Sequence, residues 1–429
     1  MRLSVLDPGH FHAALVQKHM VAGVDAEVDV YAPVGPELDD YLRQIDAYNT
    51  RAEEPTRWRL RTHAGPDFLE RFVAERGGAR MVVLAGNNRR KVEYVARAVE
   101  AGFHTLADKP MVIDHAGFDT LVAAFAAARR NEVLLSDIMT ERFEITTMLQ
   151  KEFSTLAPVF GGLVRGSDER PTVTKESVHH FSKQVSGALI TRPPWFFDTT
   201  QQGEGLVDIT THLVDLVQWE CFPGVALDDR ADIRIAQARR WPTEVTPAQF
   251  RRVTGMEAFP EFLRKDVQAN GNLHVYANGE IDYTLKGVHA KVSVLWNFEA
   301  PPGGGDTHCS VMRGTRSNLV IRQGAAQGYR PVLTIEPVAV DDETAFERAL
   351  HLALPTVQQK YPGVGLRRTE GGWEVTVPAP YRVGHEAHFG QVTAQFLRHV
   401  ESGALPSWEV PNMLAKYYTT TQALALARG

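Results

Sequence analysis

The chain divides by the period of its hydrophobic positions. Up to about residue 138, short apolar runs alternate with longer stretches in which apolar residues recur at helical spacing. Leu3–Leu6, Val28–Ala32, Met81–Ala85, His104–Ala107 and Val133–Ser136 predict strands. Val92–Glu100 and Phe118–Arg129 predict helices between them, the second rich in alanine. Strands regularly separated by helices give a parallel, doubly wound α/β layer. The segment from Tyr48 to Arg61, crowded with Arg and Glu, reads as an exposed, solvated insertion.

From residue 139 the pattern changes. A helix around Asp208–Cys221 is followed by β-like runs with turn signals between them. Leu273–Ala277 and Ile281–Leu285 flank Asn278-Gly279, the pair favoured in type I′ turns, and so predict a hairpin. Ala290–Trp296, Thr307–Arg313, Leu319–Arg322 and Val332–Glu336 continue the strand-rich region, with a loop at Pro301–Gly305 inside it. His388–Val400 has helical spacing and is expected to pack back across the junction between the two regions. The sequence carries no chemical account of Trp408 or of Asn412–Tyr418 beyond it.

Composition narrows the class. A chain of 429 residues has room for two sizeable cores, and 44% hydrophobic with 23% charged residues is ordinary for a globular protein. The net charge of −6 and pI near 6.3 give no reason to expect a nucleic-acid partner. No apolar stretch approaches the ~20 residues that span a bilayer. The first strand begins almost at once, leaving no room for a leader, so the expectation is a cytoplasmic protein with no membrane partner. Cys221 and Cys309 are too few for a disulfide framework, though one bridge stays possible.

Two stretches carry chemistry. In Leu106-Ala107-Asp108-Lys109-Pro110-Met111, a lysine stands between an acid and a proline directly after a predicted strand. Proline ends the ladder and turns the chain, so Lys109 is held at a strand's carboxyl end, where open α/β sheets bind ligands. In Gly203-Glu204-Gly205-Leu206-Val207-Asp208-Ile209-Thr210-Thr211-His212, the acid and histidine are four apart and would share one helix face. Taken together the two stretches resemble the Gfo/Idh/MocA family of nicotinamide-dependent oxidoreductases. That family carries Glu-Lys-Pro after a Rossmann strand and Asp-x-x-x-His after a glycine cluster. The first motif here has Asp108 in place of glutamate; the second is intact.

The resemblance implies a Rossmann domain over 1–138 and, over 139–429, an α+β domain with a large open, mostly antiparallel sheet. It implies a catalytic set of Lys109, Asp208 and His212, with Lys109 holding the substrate hydroxyl, His212 as general base and Asp208 orienting the pair. It further implies a sugar, polyol or sugar-derivative substrate, NAD or NADP as cofactor, and a homodimer or homotetramer built through the C-terminal sheet. Asp215 is read either as a support behind His212 or as an ordinary surface acid. Arg142, in Met139-Thr140-Glu141-Arg142-Phe143, is read as structural.

The cofactor loop departs from the family. In place of G-x-G-x-x-G the chain reads Asp7-Pro8-Gly9-His10-Phe11-His12, keeping only the glycine that lets the backbone approach a pyrophosphate. Asp7 would repel phosphate unless it caps the following helix. His10 and His12 are candidate donors to the cofactor, with packing an equal alternative for one of them. Asn88, Asp108, Lys109 and Pro110 complete the expected cofactor contacts, with Phe11 beside them. Arg89, Arg90 and Lys91 read as a solvated basic helix start. No acid directly follows the second strand at Tyr31-Ala32-Pro33-Val34-Gly35, so NAD and NADP stay open.

On the substrate side the candidates are His180, Lys183 and Trp195. Consecutive strand residues point to opposite faces, so at most one of His179 and His180 is expected to face the site. The faces of Trp195, Phe196 and Phe197 suit a pyranose ring and suit a packed core as well. Arg192 is read either as binding an acidic sugar or as solvated. His179, His180 and His212 complete no metal set, and no metal is expected. Three functions fit: a dehydrogenase, a redox-neutral enzyme that oxidises, eliminates and re-reduces on a retained NAD, and a non-catalytic ligand sensor.

Overall fold

A computed structural model of the chain describes residues 1–75, 80–185, 188–338 and 343–429. Six strands, β1 (Arg2–Leu6), β2 (Glu27–Ala32), β3 (Arg59–Ala64), β4 (Arg80–Leu84), β5 (His104–Asp108) and β6 (Leu135–Ile138), form a parallel sheet. Their order is β3-β2-β1-β4-β5-β6, so the winding direction reverses between β1 and β4 and opens a crevice at their carboxyl ends. Strands β1, β4 and β5 are buried on both faces, which is why they read as apolar runs. One face is covered by the helices Lys91–Glu100 and His115–Arg130 through Val95, Phe118 and Leu121. The other takes Phe389, Val392 and Phe396 from the helix His385–Ser402, which brings the end of the chain back onto the first sheet.

Two local expectations are corrected in this sheet. The segment from Tyr48 to Arg61 is not an insertion: it ends the helix Pro36–Thr50, turns, and enters β3. Its Trp58 is buried, donating its indole N–H to the Gln17 carbonyl at 2.8 Å. β3 is an edge strand whose Arg61 and His63 bond the buried carboxylate of Asp29, so its charge masked its strand character. The sixth strand lies two residues later than the apolar run at Val133–Ser136, at Leu135–Ile138.

The second layer is a sheet of nine strands. It takes β7 (Val173–Ser182) and, past the small ribbon of β8 (Gln184–Val185) and β9 (Ala188–Leu189), β10 (Ile233–Val245), β11 (Leu273–Leu285) and β12 (Val288–Glu299). β13 (Thr307–Arg313), β14 (Ser317–Gln323), β15 (Val332–Pro337), β16 (Gly365–Thr369) and β17 (Gly372–Thr376) complete it. The order is β10-β11-β12-β7-β13-β14-β15-β17-β16, with every pair antiparallel except β12 with β7.

The expected hairpin at Asn278-Gly279 does not form; both residues lie inside β11, and the turn falls at Lys286-Gly287, whose φ values are 49° and 77°. Asn278 is buried, its side chain donating to Thr243 Oγ1 at 2.8 Å and accepting from the Trp296 N–H at 2.6 Å. Gly279 is needed for contact rather than for a turn, since a Cβ there would meet Leu206 at 2.6 Å. The turn carrying Asp208 lies against this point of the sheet, with the Gly205 N–H bonded to the Tyr276 carbonyl.

The helix Glu409–Arg428 joins the two layers. Lys416 Nζ, fully buried, lies 2.7 Å from Asp137 at the end of the first sheet and 2.8 Å from Asp215 on the helix Thr210–Cys221. The Tyr417 hydroxyl donates to Asp137 at 2.8 Å, and Arg142 grips both Asp215 and Glu409. Arg142 is therefore structural as expected, and Asp215 is neither a surface acid nor hydrogen-bonded to His212. Cys221 and Cys309 are free thiols. No helix of the described residues is long and apolar enough to cross a membrane.

Candidate active site

The loops leaving β1, β4 and β2 enclose a cavity of about 340 Å³, lined among others by Asp7, Gly9, Glu37, Asn87, Arg89 and Trp195. The β1 loop turns tightly because Asp7 takes a φ of 51° and Gly86 lies beneath it, where a Cβ would stand 1.9 Å from the Asp7 carbonyl. Asp7 does not cap the next helix, His12–Leu15, which has no side-chain cap. Burial and the neighbouring Glu37 instead raise its pKa to about 6. An added Cβ on Gly9 would face Asn87, Gly86 and Glu37, all at 3.7 Å, with Asn87 and Glu37 on this cavity's wall. Trp195, expected against substrate, is buried on the same wall.

Asn88 does not line the cavity. It is buried, donates to the Gln202 carbonyl at 2.7 Å and accepts from Lys91, while Asn87 and Arg89 face the space. Lys91 is likewise not solvated. Its Nζ donates to the Asp108 carbonyl at 3.0 Å, and burial lowers its pKa to about 8.

At the end of β5 the lysine motif meets the glycine cluster. The Lys109-Pro110 peptide is cis. Lys109 Nζ donates to Asp208 Oδ1 at 2.5 Å, and Gln202 Nε2 donates to the other oxygen at 3.2 Å. Both partners of the ion pair are buried. Asp208 lies in the turn before the helix Thr210–Cys221 rather than on it, so the expected shared helix face is not what joins the motif. Asp208 serves Lys109, not His212. The ring of His212 is buried, and its Nδ1, sealed from solvent, has no hydrogen-bond partner among the described residues. Burial and the nearby Lys109 lower its pKa to about 3, so the ring is neutral at neutral pH.

Two acid–histidine pairs border this centre. His12 Nδ1 lies 2.8 Å from Asp108 Oδ2, and His10 packs edge-on against His12. Burial opposes charge on Asp108, but His12, Lys91 and His10 outweigh it and hold the carboxyl far below its usual range. Glu141 pairs with His385 at 3.4 Å and is also held low, because that pair and the surrounding imidazoles outweigh its burial. His10, His12 and Asp108 are the group whose ligand atoms lie within 4.8 Å of one another among the described residues. Burial and the neighbouring imidazole keep His10 neutral, and the cations Lys109 and Lys91 sit close by, so a dication there would be a third positive charge in one buried spot.

The residues expected on the substrate side gather around Asp306. Its carboxylate accepts from Lys183 at 2.7 Å and faces Nδ1 of His180 at 2.9 Å and of His179 at 3.3 Å. Both of the consecutive histidines reach this carboxylate, whichever of them faces the site. Asp306 lies just beyond the last β7–β13 pair, Val178 with Thr307, and both rings reach it there.

Sequence reasoning missed Glu37, Lys91, Asp306 and His385. Only Asp306, directly after a glycine-rich loop, and His385, in the run His385-Glu386-Ala387-His388, left a local trace.

A family model described as putative oxidoreductase C terminal domain matches residues 149–428. A crystal structure of a putative oxidoreductase from Parabacteroides merdae is 53% identical, covers 100% of this chain and 97% of that chain, and superposes with a TM-score of 0.97. Levoglucosan dehydrogenase in complex with NADH is 12% identical over 100% of this chain and 97% of that chain, with a TM-score of 0.63. A 3-ketoreductase from Actinomadura kijaniata in complex with NADP is 15% identical over the same shares, with a TM-score of 0.57. These last two share the fold. No match was found among curated proteins. The family model spans more than half of the chain and the Parabacteroides merdae structure matches it end to end, so the chain belongs to this oxidoreductase family.

Proposed function

We propose that the chain is an NAD(P)-dependent oxidoreductase of the Gfo/Idh/MocA type, acting between a secondary alcohol and a ketone of a sugar, polyol or sugar derivative. One observation carries this reading. A lysine clamped by a buried carboxylate stands beside a neutral histidine, at the strand ends that border a nucleotide-sized cavity. The residues fit a dinucleotide. Gly9 and the Asn87–Arg89 loop suit a pyrophosphate, with Trp195 closing the wall, and Glu37 suits the hydroxyls of an adenosine ribose. Glu37 would repel a 2′-phosphate, which favours NAD over NADP. When bound, the nicotinamide supplies the hydride acceptor or donor. Fold relatives solved with NADH and NADP support the assignment.

Within the site, Lys109 donates to the substrate hydroxyl oxygen while Asp208 fixes its ammonium. His212 takes the hydroxyl proton on its imidazole as the alcohol is oxidised, and returns it in reduction. His180 and Lys183, set by Asp306, offer donors to neighbouring hydroxyls. No step needs a metal, and we expect none. A second, redox-neutral reading is favoured by the Asp108–His12 and Glu141–His385 pairs, which are more acid–base groups than hydride transfer requires.

Calorimetry with NADH and NADPH, followed by absorbance of the nicotinamide during turnover of a polyol and glycoside panel, tests this. NADH should bind more tightly than NADPH, and reduced nicotinamide should accumulate with product. Binding of neither nucleotide at millimolar concentration defeats the proposal. Aglycone release without net reduction replaces it by the redox-neutral reading.

A further inference from the structure

Arg192 is buried at 4% exposure, below β7. Its Nε donates to the Phe181 carbonyl at 2.7 Å and its Nη2 to the His180 carbonyl at 3.1 Å, so one edge of the guanidinium is pinned to the strand backbone. The rings of Phe196 and Trp296 lie 4.3 and 5.3 Å from it and hold its plane. Carbonyls and ring faces orient a guanidinium without neutralising it. Nη1 has no hydrogen-bond partner, and no carboxylate is ion-paired to the group, among the described residues. The carboxylates whose charge reaches it are Asp306 and Asp208. Both are already taken, by Lys183 and Lys109.

A buried charge with no counter-ion is costly, and more so than a buried pair. A fork with one edge fixed and the other open matches the planar, two-oxygen face of a carboxylate better than a tetrahedral phosphoryl group. The location is decisive: the group is anchored at His180, on the wall that carries Lys183 and Asp306, and within electrostatic reach of the partner of Lys109. We propose that the substrate is a sugar acid whose carboxylate docks on the open edge of Arg192 while its reacting hydroxyl lies on Lys109 and His212. This rests on the oxidoreductase reading for the reacting hydroxyl, but the anion site stands apart from it.

The test is calorimetric binding to the intact protein, with and without NADH, of D-glucuronate, D-galacturonate and D-gluconate. D-glucose, D-galactose and D-glucose 6-phosphate are the comparison ligands. At least one acid should bind about tenfold to a hundredfold more tightly than its neutral counterpart. Arg192→Gln should remove that preference, and Arg192→Lys should keep part of it. Far-UV dichroism and unchanged NADH binding report that both variants are folded. Equal binding of acid and neutral sugar, no binding of any acid at millimolar concentration, or a preference that survives Arg192→Gln overturns the proposal. Tighter binding of the sugar phosphate overturns the carboxylate assignment. If acids bind through Arg192 but no nicotinamide is reduced, the oxidoreductase reading fails and the anion site does not.

Discussion

As the proposed base, His212 is already stripped of its proton before substrate arrives. With its pKa lowered to about 3 by burial and Lys109, the ring is neutral from about pH 4 upward and can accept at once. The kcat/KM profile for oxidation should therefore show no ionisation of His212 between pH 5 and 8, although the unperturbed value of ~6.5 alone would place one there. His212→Ala should lower kcat by ~10²–10⁴ without removing a limb in that window. Lys109→Ala/His212→Ala should be little worse than the poorer single variant, because the two act as a unit. Near-wild-type turnover by His212→Ala would show the motif to be structural, and a neutral-pH limb that vanishes in it would show that the resting ring is charged. The two stretches that carry the proposed set were legible in the sequence because each is a short local motif. Their pairing was not: Asp208 turned to Lys109 instead of His212, since the turn before the helix, not the helix itself, sets its direction. Glu37 and Lys91 acquire their roles from neighbours far away in sequence, and no spacing announces that.

In the first sheet, strands were legible where burial was two-sided and obscured where it was not. β1, β4 and β5 are apolar because helices cover both faces, whereas β3, at the edge, carries Arg59, Arg61 and His63 and reads as loop. The Asn278-Gly279 pair misled for a different reason. Turn chemistry and close packing both call for glycine, and sequence cannot tell them apart. Two glycine variants separate structure from ligand binding. Gly279→Ala drives a methyl into Leu206 and should destabilise the fold by about 1–3 kcal/mol, while displacing the turn that carries Asp208. Gly9→Ala meets only contacts of 3.7 Å and should change stability by no more than ~0.5 kcal/mol. It should nevertheless weaken nucleotide binding, since the methyl occupies the cavity wall. Urea unfolding and NADH calorimetry on both variants check this. A Gly279→Ala protein as stable as wild type would contradict the close approach, and undiminished NADH affinity in Gly9→Ala would place the pyrophosphate elsewhere.

At the scale of the whole molecule, the two sheets are joined by charge as well as by apolar packing. Asp137 ends the first sheet, Asp215 rides the helix behind His212, and Lys416 binds both from the last helix, with Arg142 and Glu409 closing the network. The run Asn412–Tyr418 was opaque in the sequence because a lysine between apolar residues looks like a surface position until its two partners are brought in from far along the chain. Burial opposes charge on Asp215, but Arg142 and Lys416 outweigh it and hold the carboxyl low, so the group is ionised at neutral pH. Its folded pKa is depressed, so its stabilisation is complete above the ordinary aspartate range and is lost as pH falls through the lower folded value. Removing Lys416 instead leaves two buried carboxylates short of a cation at every pH where they are charged, Asp137 with only the Tyr417 hydroxyl and Asp215 with only Arg142 among the described residues. Lys416→Ala should therefore cost ~3–5 kcal/mol at pH 7, and the deficit should shrink as the solution is acidified toward pH 4, because protonation relieves those charges. Lys416→Met, which fills the volume without the charge, should be destabilised at pH 7 by the same carboxylates and should share that pH dependence. Thermal unfolding of the three proteins from pH 4 to 8 reads this directly. A Lys416→Ala deficit that is small at pH 7, or that does not diminish on acidification, would mean that packing alone holds the sheets together.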